Sequence, residues 1–173
     1  MTPTPSVQDS LETVTLAGGC FWGMEELFRQ LPGVVDTEVG YTGGHLAQPG
    51  YRDVCTGETG HAEALQVKFD PGVLAFAELL KFFFRIHDPT TPNQQGNDRG
   101  SQYRSAIFCH SPEQLKVAQE VKDLVEASGQ WPRPLVTEIV MAGPFYPAEP
   151  EHQDYLQKYP EGYSCHYVRP FQF

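Results

Sequence analysis

At 173 residues the chain is long enough to bury a core without metal or disulfide staples, and its length argues for one domain. Twenty-two acidic against twelve basic residues give a net charge of −10, the wrong sign for sequence-independent binding of nucleic acid phosphates. With 40% hydrophobic and 12% aromatic residues the composition is too apolar for disorder, yet no uncharged apolar run approaches the roughly eighteen residues that read as a membrane span. No nucleic-acid or membrane partner is therefore expected.

Residues 1–10 (MTPTPSVQDS) carry neither a basic patch nor an apolar stretch, so they are read as a flexible N-terminus through residue 11, and the cytoplasm is the default location. The run ETVTLA at 12–17 predicts a strand ending at Gly18-Gly19, and Met24, Leu27, Phe28 and Leu31 then repeat at helical spacing until Pro32-Gly33. Val35, Thr37, Val39 and Tyr41 alternate as one face of a second strand. Residues 43–60 read as a long surface loop, of a length that more often marks function than spacing.

His61, Glu63, Leu65, Val67 and Phe69 share one face of a third strand. Val73, Phe76, Leu80, Phe83 and Phe84 form the apolar stripe of a helix. A polar loop at 89–102 leads to a strand at 103–109. Ser111-Pro112-Glu113-Gln114 then predicts a capped helix start, with Gly129 as its stop. Another strand is expected at 135–141, and His152, Tyr155, Leu156 and Tyr159 fall on one face of a last short helix.

This order predicts an α+β protein: a two-layer α/β sandwich with a split β-α-β-β-α-β, ferredoxin-like core and a mixed sheet. An extended irregular C-terminal tail at 160–173 holds Cys165. No repeat or interdomain linker breaks residues 1–173, and many chemistries share this fold class.

Cys20, Cys55, Cys109 and Cys165 lie far apart, without the paired short spacings of structural zinc sites or an export signal that would suggest a disulfide framework. In GGCFWG, however, Cys20 stands between a strand end and a helix start, where helix N–H groups and the macrodipole favour a thiolate, with a buried cysteine in a glycine-tight turn as the alternative. The flanking glycines allow positive φ and close approach of a substrate to the backbone. Phe21 and Trp22 read as an apolar pocket wall beside the thiol, with ordinary core packing as the alternative. Glu63 on the apolar strand face would be desolvated and protonated, which suits a general acid, unless that strand end protrudes into solvent. Taken singly, Tyr51, Tyr103, Asp98 and Arg99 could each be ordinary surface or turn residues.

Together, GCFWG at 19–23, GYTGG at 40–44, YRDVCTGETGHAEA at 51–64, DPTTPNQQGNDRGSQYRS at 88–105 and HQDYL at 152–156 resemble the peptide methionine sulfoxide reductase A family, in order across roughly residues 14–167. The resemblance implies an enzyme that returns methionine S-sulfoxide, free or in oxidised proteins, to methionine. It assigns Cys20 as the attacking thiolate and Glu63 as the proton donor. Tyr51 and Tyr103 would hold the sulfoxide oxygen, Phe21 and Trp22 the methyl pocket, and Asp98 would order the site. Cys20 would become a sulfenic acid, resolved by Cys165 as a disulfide, while Cys55 and Cys109 read as structural. Many relatives carry a longer glycine-rich end with a further recycling cysteine. No cysteine follows Cys165 here, so thioredoxin, or dithiothreitol in vitro, is expected to reduce the Cys20–Cys165 disulfide directly. No bound cofactor or metal is implied, and a monomer is expected. Two rival readings remain at this point: a Cys/His hydrolase or acyltransferase with His61 as base, and a non-catalytic module that binds methionine-rich or oxidised peptides.

Overall fold

In the computed structural model, which describes residues 11–164 and 166–173, the first predicted strand forms as β1 (Glu12–Gly18). It is followed by α1 (Phe21–Arg29), β2 (Val34–Thr42), α2 (Tyr51–Cys55), β3 (Ala62–Phe69) and α3 (Phe76–Ile86). A two-stranded ribbon, β4 (Gln94–Gln95) and β5 (Asp98–Arg99), precedes β6 (Ser105–Cys109). The chain continues through α4 (Pro112–Ala127), β7 (Glu138–Met141), β8 (Phe145–Pro147) and α5 (Tyr155–Lys158).

The main sheet has six strands in the order β7-β6-β1-β3-β2-β8. Its pairs are antiparallel except β6 with β7, whose parallel connection runs through α4, as a crossover between parallel strands requires. The sheet is thus mixed and the class α+β. Flanked on both sides, β1 is buried from Val14 to Gly18. Val14, Leu16, Val39, Leu65, Val67 and Ile107 join Phe28 of α1, Phe83 of α3 and Val121 of α4 in the large core. The opposite face is lined by small residues, Ala17, Ala62, Ala64 and Ala106, with Phe108. Glu63 alternates with Ala62 and Ala64 and so falls on the large-core side.

Several element boundaries depart from expectation for local physical reasons. The segment 43–60 is not loop throughout: α2 starts at Tyr51, where the Gly50 N–H donates to Asp53 Oδ2 at 2.9 Å. Val73 is 66% exposed rather than part of the α3 stripe, because Asp70 O accepts from both the Val73 and Leu74 N–H in a turn that delays the helix to Phe76. Tyr103 lies in a 3-10 turn (Ser101–Tyr103) before β6, not in the strand. His152 likewise ends a 3-10 turn (Pro150–His152), separated from α5 by Asp154 at φ 56°. The α4 start follows the cap logic: Ser111 Oγ accepts the Gln114 N–H at 3.2 Å, and Gln114 Oε1 accepts the His110 N–H at 2.9 Å.

Candidate active site

Cys20 is the N-cap residue of α1 and 7% exposed, at the end of the central strand. Its turn is shaped by Gly19 at φ +96°, a value that a side chain would strain. The space above these glycines is not left for substrate, contrary to expectation. A Cβ on Gly19 would lie 2.5 Å from Gln95 Cγ, and one on Gly23 would lie 2.5 Å from His166 Nδ1 and from Ser164 Oγ. The C-terminal segment occupies that side of the turn, held by the His166 Nε2–H donating to Gly18 O at 2.6 Å. Burial keeps His166 neutral, with its pKa lowered to about 4.

The nearest helix N–H, that of Phe21, donates to Glu63 Oε1 at 3.2 Å. Glu63 is only 2% exposed, and burial pushes its carboxyl up to about 8, with the Phe21 N–H opposing and Asp98 adding to the rise. The strand end therefore does not protrude, and the carboxyl is protonated at neutral pH. Directly across the sheet from Glu63 is Tyr41, whose hydroxyl points to Glu149.

Tyr51 and Tyr103 converge on the same carboxyl. Burial and then the Glu63 charge raise both phenols above their ordinary range, so each remains a neutral donor. Tyr103 also senses Asp98, Cys55 and Cys20, so the α2, β5 and β6 ends meet around the α1 N-terminus. Asp98 accepts the Tyr163 hydroxyl at 3.2 Å, and burial raises its carboxyl. Phe21 is 1% exposed and packs between Tyr41 and His152, each ring 5.7 Å away, so it belongs to the core beneath the site more than to its mouth. Trp22 is half-buried; it stacks on Tyr155 at 3.8 Å and donates its indole N–H to His152 Nδ1 at 3.1 Å. A cavity of about 320 Å³ opens beside Tyr51 and His152, with Arg52, Glu149 and Glu151 on its walls.

The other sulfur and imidazole expectations divide. Cys109 is fully buried, which fits a structural thiol, but Cys55 is exposed and accepts the Tyr51 hydroxyl, so packing does not describe it. Cys165 lies outside the described residues. His61 has both ring nitrogens engaged: Nδ1 accepts the Gly44 N–H at 3.0 Å and Nε2–H donates to Leu46 O at 2.6 Å. It fastens the 43–46 loop and has no nitrogen left to serve as the base of a hydrolase.

Sequence reasoning missed Tyr41, Glu149, His152 and Tyr155 as parts of this site. HQDYL marked two of them as a motif without giving them a role. Glu149 carried no signal, because the three-residue β8 that delivers it is too short to show a period.

A thiol at a helix N-terminus, with a protonated carboxyl bonded to the first residue of that helix, suits attack by sulfur on a substrate whose oxygen must be protonated, and this places the protein among thiol-dependent oxidoreductases. The family model described as peptide methionine sulfoxide reductase matches residues 12–172, and the chain belongs to that family. Peptide methionine sulfoxide reductase MsrA 1 of Mesorhizobium japonicum is 56% identical over 161 residues, covering 93% of this chain and 91% of that relative. Among solved structures, Mxr1 from Saccharomyces cerevisiae in reduced form superposes with a TM-score of 0.88 at 44% identity, over 92% of this chain and 93% of that one. Mxr1 in complex with Trx2 matches with a TM-score of 0.63 at 33% identity, over 92% of this chain and 91% of that one.

Proposed function

We propose that the chain reduces methionine S-sulfoxide, in peptides and as the free amino acid, with Cys20 as nucleophile and Glu63 as general acid. One observation carries the reading: a buried carboxyl, protonated at neutral pH, is bonded to the first residue of the helix that Cys20 caps. The Cys20 thiolate attacks the sulfoxide sulfur while Glu63 gives its proton to the departing oxygen. Attack forms a bond between the two sulfurs; the protonated oxygen then moves to the Cys20 sulfur as the substrate S–O and S–S bonds break. Cys20 is thereby oxidised by two electrons to the sulfenic acid, and methionine, reduced by two, is released. The neutral Tyr51 and Tyr103 hydroxyls donate to that oxygen, Trp22 and the edge of Phe21 receive the methyl group, and Asp98 orders the site.

Cys165 then condenses with the sulfenic acid; a disulfide forms and water leaves. The Mxr1 complex with Trx2 supports a thioredoxin as the dithiol that reduces this disulfide, a role dithiothreitol fills in vitro. The reading takes residues 1–173 as one catalytic domain, its β6-β1-β3-β2 strands as a split β-α-β-β-α-β core, and residues 160–173 as an irregular tail. It also takes the protein as a cytoplasmic monomer, working without a bound cofactor or nucleic-acid partner, in keeping with its acidic composition.

The test is incubation with a racemic methionine sulfoxide peptide and dithiothreitol, followed by chiral separation of the remaining epimers. Loss of the S-sulfoxide alone is expected. Persistence of both epimers while Cys20 still reacts with iodoacetamide would overturn the assignment.

A further inference from the structure

Trp22 and Tyr51 come to the site on different helices, yet one carboxylate ties both in place. Glu149 Oε1 accepts the Tyr51 backbone N–H at 3.2 Å, and both carboxylate oxygens lie 3.4 Å from the Tyr41 hydroxyl. Glu149 Oε2 also lies 3.4 Å from His152 Nε2. On the far side of the same imidazole, Nδ1 accepts the Trp22 indole N–H at 3.1 Å. An indole nitrogen can only donate, so Nδ1 must be the acceptor and the proton of the neutral ring must sit on Nε2, facing Glu149. Burial holds His152 below its ordinary pKa in spite of the Glu149 and Glu151 charges, so the neutral ring is the relevant form.

We propose that Glu149 is a positioning residue for sulfoxide reduction: it fixes the His152 tautomer, and through it the orientation of Trp22 against the substrate. The inference rests on the placement of Trp22 and Tyr51 in the substrate site. Glu149 is three residues from His152 and reaches the site only because β8 pairs with β2.

The donor set explains why a carboxylate is required. Three groups present hydrogens to Glu149, and an ionised carboxylate accepts them all. An amide cannot. If Gln at 149 turns its oxygen to the Tyr51 N–H, its NH₂ group faces His152 Nε2; the imidazole must then move its proton to Nδ1, where it opposes the Trp22 N–H. If the amide turns the other way, its NH₂ group opposes the Tyr51 N–H. Either orientation leaves two donors face to face in a part-buried site.

The test combines side-chain nitrogen NMR of His152 with peptide sulfoxide kinetics. The wild-type ring is expected as the Nε2–H tautomer. In Trp22→Phe that tautomer should persist, because Glu149 still demands it. In Glu149→Gln the Nδ1–H form should appear, with KM raised about tenfold and kcat changed less than threefold, a loss of binding shared by ground and transition states. The double variant Trp22→Phe/Glu149→Gln should have the KM of Trp22→Phe alone, because no indole donor opposes the moved proton. Additive KM effects in the double variant, or loss of the Nε2–H tautomer in Trp22→Phe, would overturn the proposal. The Trp22→Phe spectrum tests the idea without altering Glu149, should Glu149→Gln fail to fold. A wild-type protein that shows the Nε2–H tautomer but reduces no sulfoxide would sink the proposed function and leave the role of Glu149 in orienting Trp22 to stand or fall on the spectra.

Discussion

Glu63 Oε1 accepts the Phe21 backbone N–H at 3.2 Å, so the acid on β3 is bonded to the first residue of the helix capped by Cys20. The proposed acid and nucleophile thus share one junction between strand and helix, and neither depends on a loop for its position. Because burial raises Glu63 to about 8, its acid form predominates at neutral pH and is lost as the pH climbs through that value. The rate of sulfoxide reduction should therefore fall on the alkaline side with a midpoint near 8. Glu63→Gln should lower kcat on the order of 100-fold at neutral pH, erase that limb and leave KM nearly unchanged. Profiles of kcat and kcat/KM against pH for the two proteins decide the point, and an unchanged limb would remove Glu63 from the chemistry.

The same shift makes a stability prediction with a definite sign. Glu63 keeps its proton in the folded state up to about 8, while the unfolded chain releases it in the ordinary carboxylate range. Between those limits the folded state binds more protons, so the Glu63 contribution to stability declines with rising pH and levels off above about 8. His87 and His166, lowered to about 3 and about 4, act oppositely and weaken the fold as the pH drops below the ordinary histidine range. Denaturant midpoints of wild type and Glu63→Gln isolate the first contribution. The difference should grow in favour of Glu63→Gln from mildly acidic to mildly alkaline pH.

Gly23 should tolerate no side chain. A Cβ there meets His166 Nδ1 and Ser164 Oγ at 2.5 Å, so Gly23→Ala must displace the segment on either side of position 165. Overpacking of this kind costs roughly 1–3 kcal/mol. If Cys165 resolves the sulfenic acid, steady-state turnover with thioredoxin should suffer more than the first turnover. Rapid-quench measurement of methionine release separates the two, and an equal loss in both phases would place the damage at Cys20 instead.

Cys165→Ser should release one equivalent of methionine and then stall with thioredoxin, yet continue with dithiothreitol, which can attack the sulfenic acid itself. Cys55→Ser should keep turning over with thioredoxin. The exposure of Cys55 and its contact with Tyr51 make that control informative, because a stall in Cys55→Ser alone would move the resolving role there.

His61→Gln should retain activity within a few-fold, whereas removal of a general base typically costs at least about 100-fold. The ring spends one nitrogen on Gly44 and the other on Leu46, so the loss should appear as easier proteolysis of the 43–46 loop. Loss of sulfoxide reduction without loosening of the loop would restore His61 as a candidate base.

Much of the site was legible because its signals are local. The strand–Gly–Gly–Cys–helix junction follows from residues 12–31, and the alternation from Glu63 to Phe69 places the carboxyl on the apolar face. The direction of the Glu63 shift needed nothing more than that alternation and the cost of burying a charge. The settings of positions 51 and 103, expected as loop and strand, were not legible, because α2 and the 3-10 turn are single turns that lack a full period.

The sequence by itself determined the mixed α+β class and the family, and it singled out the candidate cysteine and carboxyl, since these rest on periodicity, composition and contiguous motifs. Only the tertiary structure decided what orients them. Tyr41 and Glu149 are 108 positions apart, and Trp22 and His152 are 130 apart. Their meeting depends on a three-residue strand added to the edge of β2, where backbone pairing rather than any local preference selects the register. The glycines of GGCFWG show the same division: the sequence called for small residues, and the fold decided that His166, Ser164 and Gln95 occupy the space they leave.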